Sequence, residues 1–316
     1  MQQRFLGDLA VSAIGLGCMP MSWGYNVKAA DKDESRATLH RAVELGVTLL
    51  DTADVYGPFT NEELIGECIT ADGLRDKVVL ATKVGLLYSS STGYGQDARP
   101  EHIRRACDAS LARLKTDHID LFQLHRVDPK VPIEDSIGAM VQLVKDGKVK
   151  NIGLSEVSVE QIKRAQAIHP IASVQSEMSI WTSENFDNGV HEYCKQNNIG
   201  FLAFSPLGRG FLTGKLDAST IDDSDFRSGN PRFTPEALTA NQKIVDGITN
   251  IAQRHNISAA QVSLAWVLSQ GSNVVPIPGT KRRKWLEENC ASVDVKLTEQ
   301  DLTEIANLPK SVAPRY

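Results

Sequence analysis

The chain has no apolar run approaching the roughly 20 residues that a membrane-crossing helix needs, no Cys-x-x-Cys pair and no Gly-x-Gly-x-x-Gly turn. The first absence argues against a helical membrane protein. The second weakens any disulfide or zinc reading. The five cysteines, Cys18, Cys68, Cys107, Cys194 and Cys290, are odd in number and widely spaced, which points to a reducing, cytoplasmic setting. Cys18 reads more readily as a small buried residue than as a reactive thiol. The third absence disfavours a Rossmann domain, because that phosphate-binding turn is its signature. A surplus of basic charge is also missing. There are 34 Lys and Arg against 39 Asp and Glu, a net charge of -5, where a nucleic-acid binder is normally basic.

What is present is an ordinary globular balance: 41% hydrophobic and 23% charged residues over 316 positions. A chain of this length buries enough apolar surface to fold without staples. The opening segment MQQRFLGDLAVSAIGLGC loosely mimics a lipoprotein signal, but Asp8 and two glycines interrupt its apolar stretch. A hairpin is the better expectation, with Arg4–Leu6 and Leu9–Ala13 flanking a Gly7-Asp8 turn.

Beyond it, short apolar runs alternate with amphipathic ones. Strands are expected at Ala13–Leu16, Thr48–Asp51, Val78–Thr82, Ile119–Leu124, Ile152–Leu154, Ser173–Gln175, Gly200–Phe204 and Val274–Pro276. Helices are expected at Asp33–Leu45, Arg99–Leu114, Pro132–Lys145, Ser158–Ile168, Asp187–Asn197, Pro235–His255 and Ser258–Ser269. Pro100 suits a first helical position, Gly46 and Gly147 suit C-terminal caps, and Ser158 to Gln161 reads as a capping box. VVLATK and LFQL are near-continuous apolar runs, as strands covered on both faces should be. Strict alternation of this kind predicts a parallel sheet with helices outside it. Eight units predict one closed (β/α)8 TIM barrel filling residues 1–316 as a single domain, an α/β fold with long loops over its C-terminal face. The least regular stretches, Leu86–Arg99 and Leu212–Thr234, both follow strands and would overhang the barrel mouth.

A polar residue ends each strand: Asp51, Lys83, His125, Ser155, Gln175, Ser205 and then Gly279-Thr280. Taken singly, each has a dull explanation. An Asp after a strand caps a turn, a Lys snorkels and a His packs. Three in succession, with Tyr56 nearby, describe proton transfer to a carbonyl oxygen during hydride delivery. An ammonium beside a tyrosine lowers the phenol pKa, an Asp holds that ammonium, and a His orients the oxygen. No metal cluster or nucleophile elbow offers a competing chemistry.

These residues resemble the aldo-keto reductase family. LLDTADVYGPFTNEELIG (49–66), ATK (81–83) and LFQLH (121–125) look like its catalytic segments. NIGLSEV, VQSEMS, FSPLGRGFLTGKL and VPIPGTKRRKWLEEN (275–289) look like its cofactor segments. The resemblance implies a barrel whose base is closed by the N-terminal hairpin, with an extended NADPH across its mouth. It implies a catalytic tetrad of Asp51, Tyr56, Lys83 and His125, Tyr56 being the general acid, and no metal. Gly17, Cys18, Met19 and Asp51 would border the cofactor, and Ser155 and Gln175 would hold the nicotinamide carboxamide. Ser205, Pro206, Leu207, Gly208, Arg209 and Lys215 would wrap the pyrophosphate. Gly279, Thr280, Lys281, Arg282, Glu288 and Asn289 would take the adenine end. Many family members have Arg or Gln where this chain has Trp285, so the 2′-phosphate would be read by one of Lys281, Arg282, Arg283 or the more distant Arg232.

The substrate pocket is expected to use Met19, Trp23, Tyr25, Tyr56, His125 and the Leu86–Tyr94 stretch. Trp23 either stacks on an aromatic or sugar-like substrate or packs the rim. The activity implied is NADPH-dependent reduction of aldehydes or ketones, reversible in principle. The partner is a small carbonyl compound, with no nucleic acid or membrane. Two alternatives stay open: a redox-sensing NADPH-binding protein similar to potassium-channel β subunits, or a pyridoxal reductase or NADP-dependent sugar dehydrogenase.

Overall fold

The computed structural model describes residues 1–26, 30–89, 91 and 93–315. The chain opens with an antiparallel hairpin, β1 (Gln3–Leu6) and β2 (Leu9–Ser12). Eight parallel strands follow: β3 (Leu16–Gly17), β4 (Leu49–Asp51), β5 (Val79–Val84), β8 (Ile119–Leu124), β9 (Val149–Ser155), β10 (Ser173–Glu177), β11 (Gly200–Phe204) and β12 (Val274–Pro276). A second antiparallel hairpin, β6 (Leu86–Ser89) and β7 (Gly93–Gln96), lies between β5 and β8 in the chain and outside the ring of parallel strands. Sheet order follows chain order from β3 round to β12. The ring closes where the Gly15 and Gly17 amides donate to the Pro276 and Pro278 carbonyls, and where Gly17 bridges Gly279. Gly17 is required there: a Cβ would stand 2.8 Å from the Ile277 carbonyl oxygen. This is the expected (β/α)8 barrel.

Strand periodicity sets its two cores. Leu49, Ala81, Leu121, Leu202 and Val275 fill the barrel interior with Leu6 from the first hairpin. Their strand neighbours Leu50, Leu80, Phe122 and Phe201 point outward against the helices. Leu6 plugs the base so tightly that a Cβ on Gly200, at the start of β11, would lie 2.6 Å from its Cα. Arg4 ties the same hairpin to the carbonyls of Gly271 (2.7 Å), Leu268 (2.9 Å) and Val274.

Helix positions follow the sequence closely. Ser158 forms the expected capping box on Val159–Gln166, and Ser258 forms another on Ala259–Ser269. The segment expected as one helix at 187–197 divides at Gly189, which has φ 77°, into Glu184–Asp187 and Val190–Gln196. Three helices emerge in addition, Thr60–Ala71, Arg283–Cys290 and Glu299–Ala306. The Leu86–Arg99 stretch is also more regular than expected, since Tyr88 and Tyr94 pair within the second hairpin. Ser90 and Thr92 of that stretch lie outside the described residues. The long 212–234 segment is irregular but anchored. Trp181 stacks on Phe211 at 4.3 Å and, with Leu212 and Phe233, packs against the helix Pro235–His255 through Ile244 and Ile248. Among the described residues no helix is long and apolar enough to cross a membrane.

Candidate active site

Side chains alternate along a strand, so residues two apart share a face. Leu49 and Ala81 face the barrel interior, and Asp51 and Lys83 therefore do too, one step nearer the mouth. Leu121 places Gln123 and then His125 in the same line. Four polar groups thus converge where the apolar filling ends.

The Lys83 ammonium is fully buried and uses three donors. It reaches Asp51 Oδ1 at 2.6 Å, the Thr52 carbonyl at 2.8 Å and the Tyr56 hydroxyl at 3.2 Å. The other Asp51 oxygen accepts from Gln175 at 2.8 Å and Gln123 at 3.3 Å. His125 presents its ring edge-on to Tyr56, with centroids 5.9 Å apart. Its Nδ1 is buried without a hydrogen-bond partner among the described residues.

Burial acts on each group differently. It pushes the Tyr56 phenol above its ordinary pKa, and the charge of Lys83 pulls against that rise without cancelling it. The expected lowering by Lys83 is present as a force but not as the net result, because desolvation is larger. For Lys83, burial favours losing the proton, yet Asp51 and Tyr56 together hold it on. Burial and then the charges of Lys83 and Arg126 keep His125 well below its usual range, so its imidazole is neutral near pH 7.

Behind this cluster lies a second carboxyl pair. Glu62 is fully buried and accepts from Thr82 (2.6 Å), Arg113 (2.7 Å) and Ser110 (3.2 Å). Burial and the proximity of Glu62 raise neighbouring Asp54 to about 8.

The cluster opens into a groove of about 510 Å³ across the C-terminal face. Met19, Gly17, Ser155 and Gln175 line its floor near Asp51, as expected. Ser205, Pro206, Leu207, Arg209 and Lys215 line one side. Gly279, Thr280, Lys281, Arg282, Glu288 and Asn289 line it from the segment after β12, which bridges Gly17 at Gly279. Lys215 reaches Glu288 at 3.5 Å, tying the loop after β11 to the helix Arg283–Cys290. Trp285 lines the groove as well, with the Lys215 and Lys284 ammoniums 5.0 and 4.8 Å from its ring centre.

Three expected cofactor residues lie off the groove. Cys18 is fully buried with its thiol against the Leu16 carbonyl, and burial drives that thiol far up in pKa. Gly208 is buried behind the loop, where a Cβ would lie 2.8 Å from the Trp181 ring. Arg232 is committed elsewhere. It donates to Thr182 Oγ1 at 2.6 Å and to Ser311 and Ala313, lies 4.0 Å from Glu177, and packs over Trp181. Its work is to pin the long loop and the C-terminal segment. Arg283 is likewise engaged, with Glu34 at 2.9 Å.

Trp23, Tyr25, Tyr56 and His125 all line the groove. Trp23 makes ring contacts with Tyr56 and Tyr88, both at 5.6 Å, and Tyr94 approaches Phe226 at 6.1 Å. The second hairpin thus supplies an aromatic wall. Sequence reasoning missed Gln123, Arg126, Phe226 and Arg227. Gln123 was legible from strand alternation, and Arg126 from its place next to His125. Phe226 and Arg227 come from an irregular loop whose path no local pattern gives.

A family model described as the aldo/keto reductase family matches residues 13–310. The probable aldo-keto reductase 1 of Glycine max is 42% identical over 295 residues, 93% of this chain and 84% of that protein. The glycerol dehydrogenase of Gluconobacter oxydans superposes with a TM-score of 0.87 at 28% identity, covering 99% of this chain and 98% of its own. An aldo/keto reductase of Klebsiella pneumoniae, solved in complex with NADP and acetate, superposes at 0.74 and 28% identity over 99% and 98% of the two chains. By its sequence and its barrel, the chain belongs to the aldo/keto reductase family.

Proposed function

We propose that the protein is an NADPH-dependent reductase of aldehydes or ketones, with Tyr56 as proton donor. The observation that carries this is the placement of Lys83 between Asp51 and Tyr56 at the inner end of a cation-rich groove. Among the described residues Arg209, Lys215, Arg227, Lys281 and Arg282 line the groove on the segments after β11 and β12, and Lys281 and Arg282 have no carboxylate partner there. The whole chain is net negative at -5, so the local excess marks a site for a polyanion. A phosphorylated dinucleotide fits that donor set, and relatives have been solved with NADP and NADPH.

Ser205 to Arg209 and Lys215 would hold the pyrophosphate, and Arg282 with Thr280 the 2′-phosphate. Trp285 offers a face for the adenine. The bound nucleotide would supply a hydride to the carbonyl carbon. The chain's own residues manage the proton. Tyr56 gives its phenol proton to the carbonyl oxygen, and Lys83 stabilises the phenolate left behind. Asp51 keeps Lys83 charged and placed. Neutral His125 orients the oxygen by a hydrogen bond. Solvent returns the proton to Tyr56, and the reverse direction uses the same groups.

The test is to titrate the purified protein with NADPH and NADH by fluorescence quenching, then to add a panel of aldehydes and ketones. Tight NADPH binding with consumption on several carbonyls is the expected result. Tight binding without turnover would favour a redox-sensing role, and no binding of either nucleotide would sink the proposal.

A further inference from the structure

Three of the six groove cations among the described residues already have a carboxylate partner. Arg209 pairs with Glu177 at 3.2 Å, Arg227 with Asp225 at 2.7 Å and Lys215 with Glu288 at 3.5 Å. Among the described residues three have none: Lys281, Arg282 and Arg126. Lys281 and Arg282 follow β12 and fall to the phosphate of the proposed cofactor. Arg126 follows β8, four places away in a ring of eight, on the opposite side of the barrel mouth. It is half-buried. One of its nitrogens donates to the His125 carbonyl at 2.6 Å and to Ser155 Oγ at 3.1 Å. Those bonds fix the guanidinium beside the reacting groups but leave its charge unmatched.

A half-buried charge without a counter-ion is costly, and it is retained where an anion arrives to meet it. The nicotinamide end of the proposed cofactor carries no negative charge, so the cofactor does not supply that anion here. Trp23, Tyr88 and Tyr94 contact one another on the aromatic wall of the groove and carry no charge, so that wall offers an entering anion no counter-charge, whereas Arg126 does.

We infer that Arg126 is a specificity-determining residue that binds an anionic group, a carboxylate or phosphate, carried by the carbonyl substrate a few bonds from the carbon that is reduced. This rests on the reductase reading above and adds the substrate class to it. A guanidinium presents a planar fork of donors that matches either group.

The experiment compares 4-oxobutanoate with its methyl ester. Two methylenes insulate the aldehyde, so intrinsic reactivity is the same and only the charge differs. Wild type should favour the acid in kcat/KM, and Arg126→Met should lose that preference by about tenfold or more, mainly through KM. The ester rate and the NADPH dissociation constant should change by less than about threefold. Arg126→Lys should restore part of the preference. Calorimetric binding of 4-hydroxybutanoate to the NADP+ complex should weaken in step with KM. An equal loss on acid and ester, or weaker NADPH binding in Arg126→Met, would assign Arg126 to the cofactor or to the barrel and overturn the inference. So would a wild type indifferent to the charge. If wild type binds NADPH and reduces no carbonyl at all, the reductase reading itself fails; binding of 4-hydroxybutanoate that depends on Arg126 would then still establish the anion site.

Discussion

Lys83 and Asp51 form a 2.6 Å ion pair with both side chains withdrawn from solvent. Removing two charges from water is expensive, and their attraction compensates only when the remaining donors and acceptors are also satisfied. Here they are. Thr52 and Tyr56 take the other Lys83 donors, and Gln123 and Gln175 supply the second Asp51 oxygen. The pair is therefore a rigid platform whose one chemically useful outlet is the Tyr56 hydroxyl.

Tyr56→Phe keeps the ring and loses the proton. Turnover should fall by about 100-fold or more, the usual scale of a lost general acid, while NADPH affinity holds. Normal turnover in that variant, measured by NADPH consumption, would exclude Tyr56 as the donor. Lys83→Met leaves Asp51 buried and unpaired, at a cost of about 3–5 kcal/mol. It should lower Tm by several degrees. Adding Asp51→Asn should recover much of the Tm and none of the activity. A single variant as stable as wild type would mean the pair is not buried as described.

Asp54 makes stability depend on pH. Its carboxyl is raised to about 8 by burial and then by Glu62, whereas in an unfolded chain it titrates near about 3.9. Between those values the folded protein holds a proton that the unfolded chain has released. Stability contributed by that proton is complete below about pH 4 and is lost as pH rises through about 8. Tm should therefore fall between pH 6 and pH 9 in wild type. Asp54→Asn, which cannot ionise, should show a shallower decline over that range. Parallel Tm curves for the two proteins would show that Asp54 is ionised in the fold.

Much of this was legible because strand alternation is a strong local signal. Asp51 and Lys83 could be aligned from Leu49 and Ala81, the apolar residues two positions before them, and His125 from Leu121, four before it. The caps at Ser158 and Ser258 were equally local. What escaped was set by tertiary packing. The helix Thr60–Ala71 has a weak N-terminal signal, since its cap is Phe59 in a left-handed conformation with φ 73°. Arg232 has the right charge in the right loop, but the chain turns it inward to Glu177 and Thr182. Cys18 follows a pocket residue in sequence and faces the other side of it. A net pKa, as at Tyr56, needs the balance of burial against charge, and spacing gives only the charge.

Gly17 joins the closure of the barrel to the floor of the groove. A methyl group there would stand 2.8 Å from the Ile277 carbonyl oxygen and 3.2 Å from the Gly279 Cα, both backbone atoms of the opposing strand end. Backbone cannot swing aside as a side chain can, so the seam between β3 and β12 must open. Gly17→Ala should lower Tm and weaken NADPH binding together, because Gly279 borders the groove at the same seam. Amide exchange at Gly15 and Gly17, which donate across the seam, should quicken. Unchanged Tm and exchange would mean the closure is looser than the contacts imply.

Arg282 and Arg283 both stand at the start of the helix Arg283–Cys290, where the proposed cofactor's 2′-phosphate would lie. Arg283 already holds Glu34 in an exposed pair at 2.9 Å, and leaving that partner would offset what it gained from a phosphate. Arg282 lines the groove with no carboxylate partner among the described residues, and the hydroxyl of Thr280 lies beside it. The phosphate is what distinguishes NADPH from NADH, so removing its reader should alter one affinity and spare the other. Arg282→Ala should weaken NADPH by about tenfold or more, the scale of a charge-assisted hydrogen bond, and leave NADH nearly unchanged. Arg283→Ala should shift both by less than about threefold. Rising ionic strength should erode wild-type NADPH affinity more steeply than that of Arg282→Ala, because the lost contact is the ionic one. If the two variants behave alike, or if Arg283→Ala is the more selective, the phosphate is read from the Glu34 side of the helix and the assignment passes to Arg283.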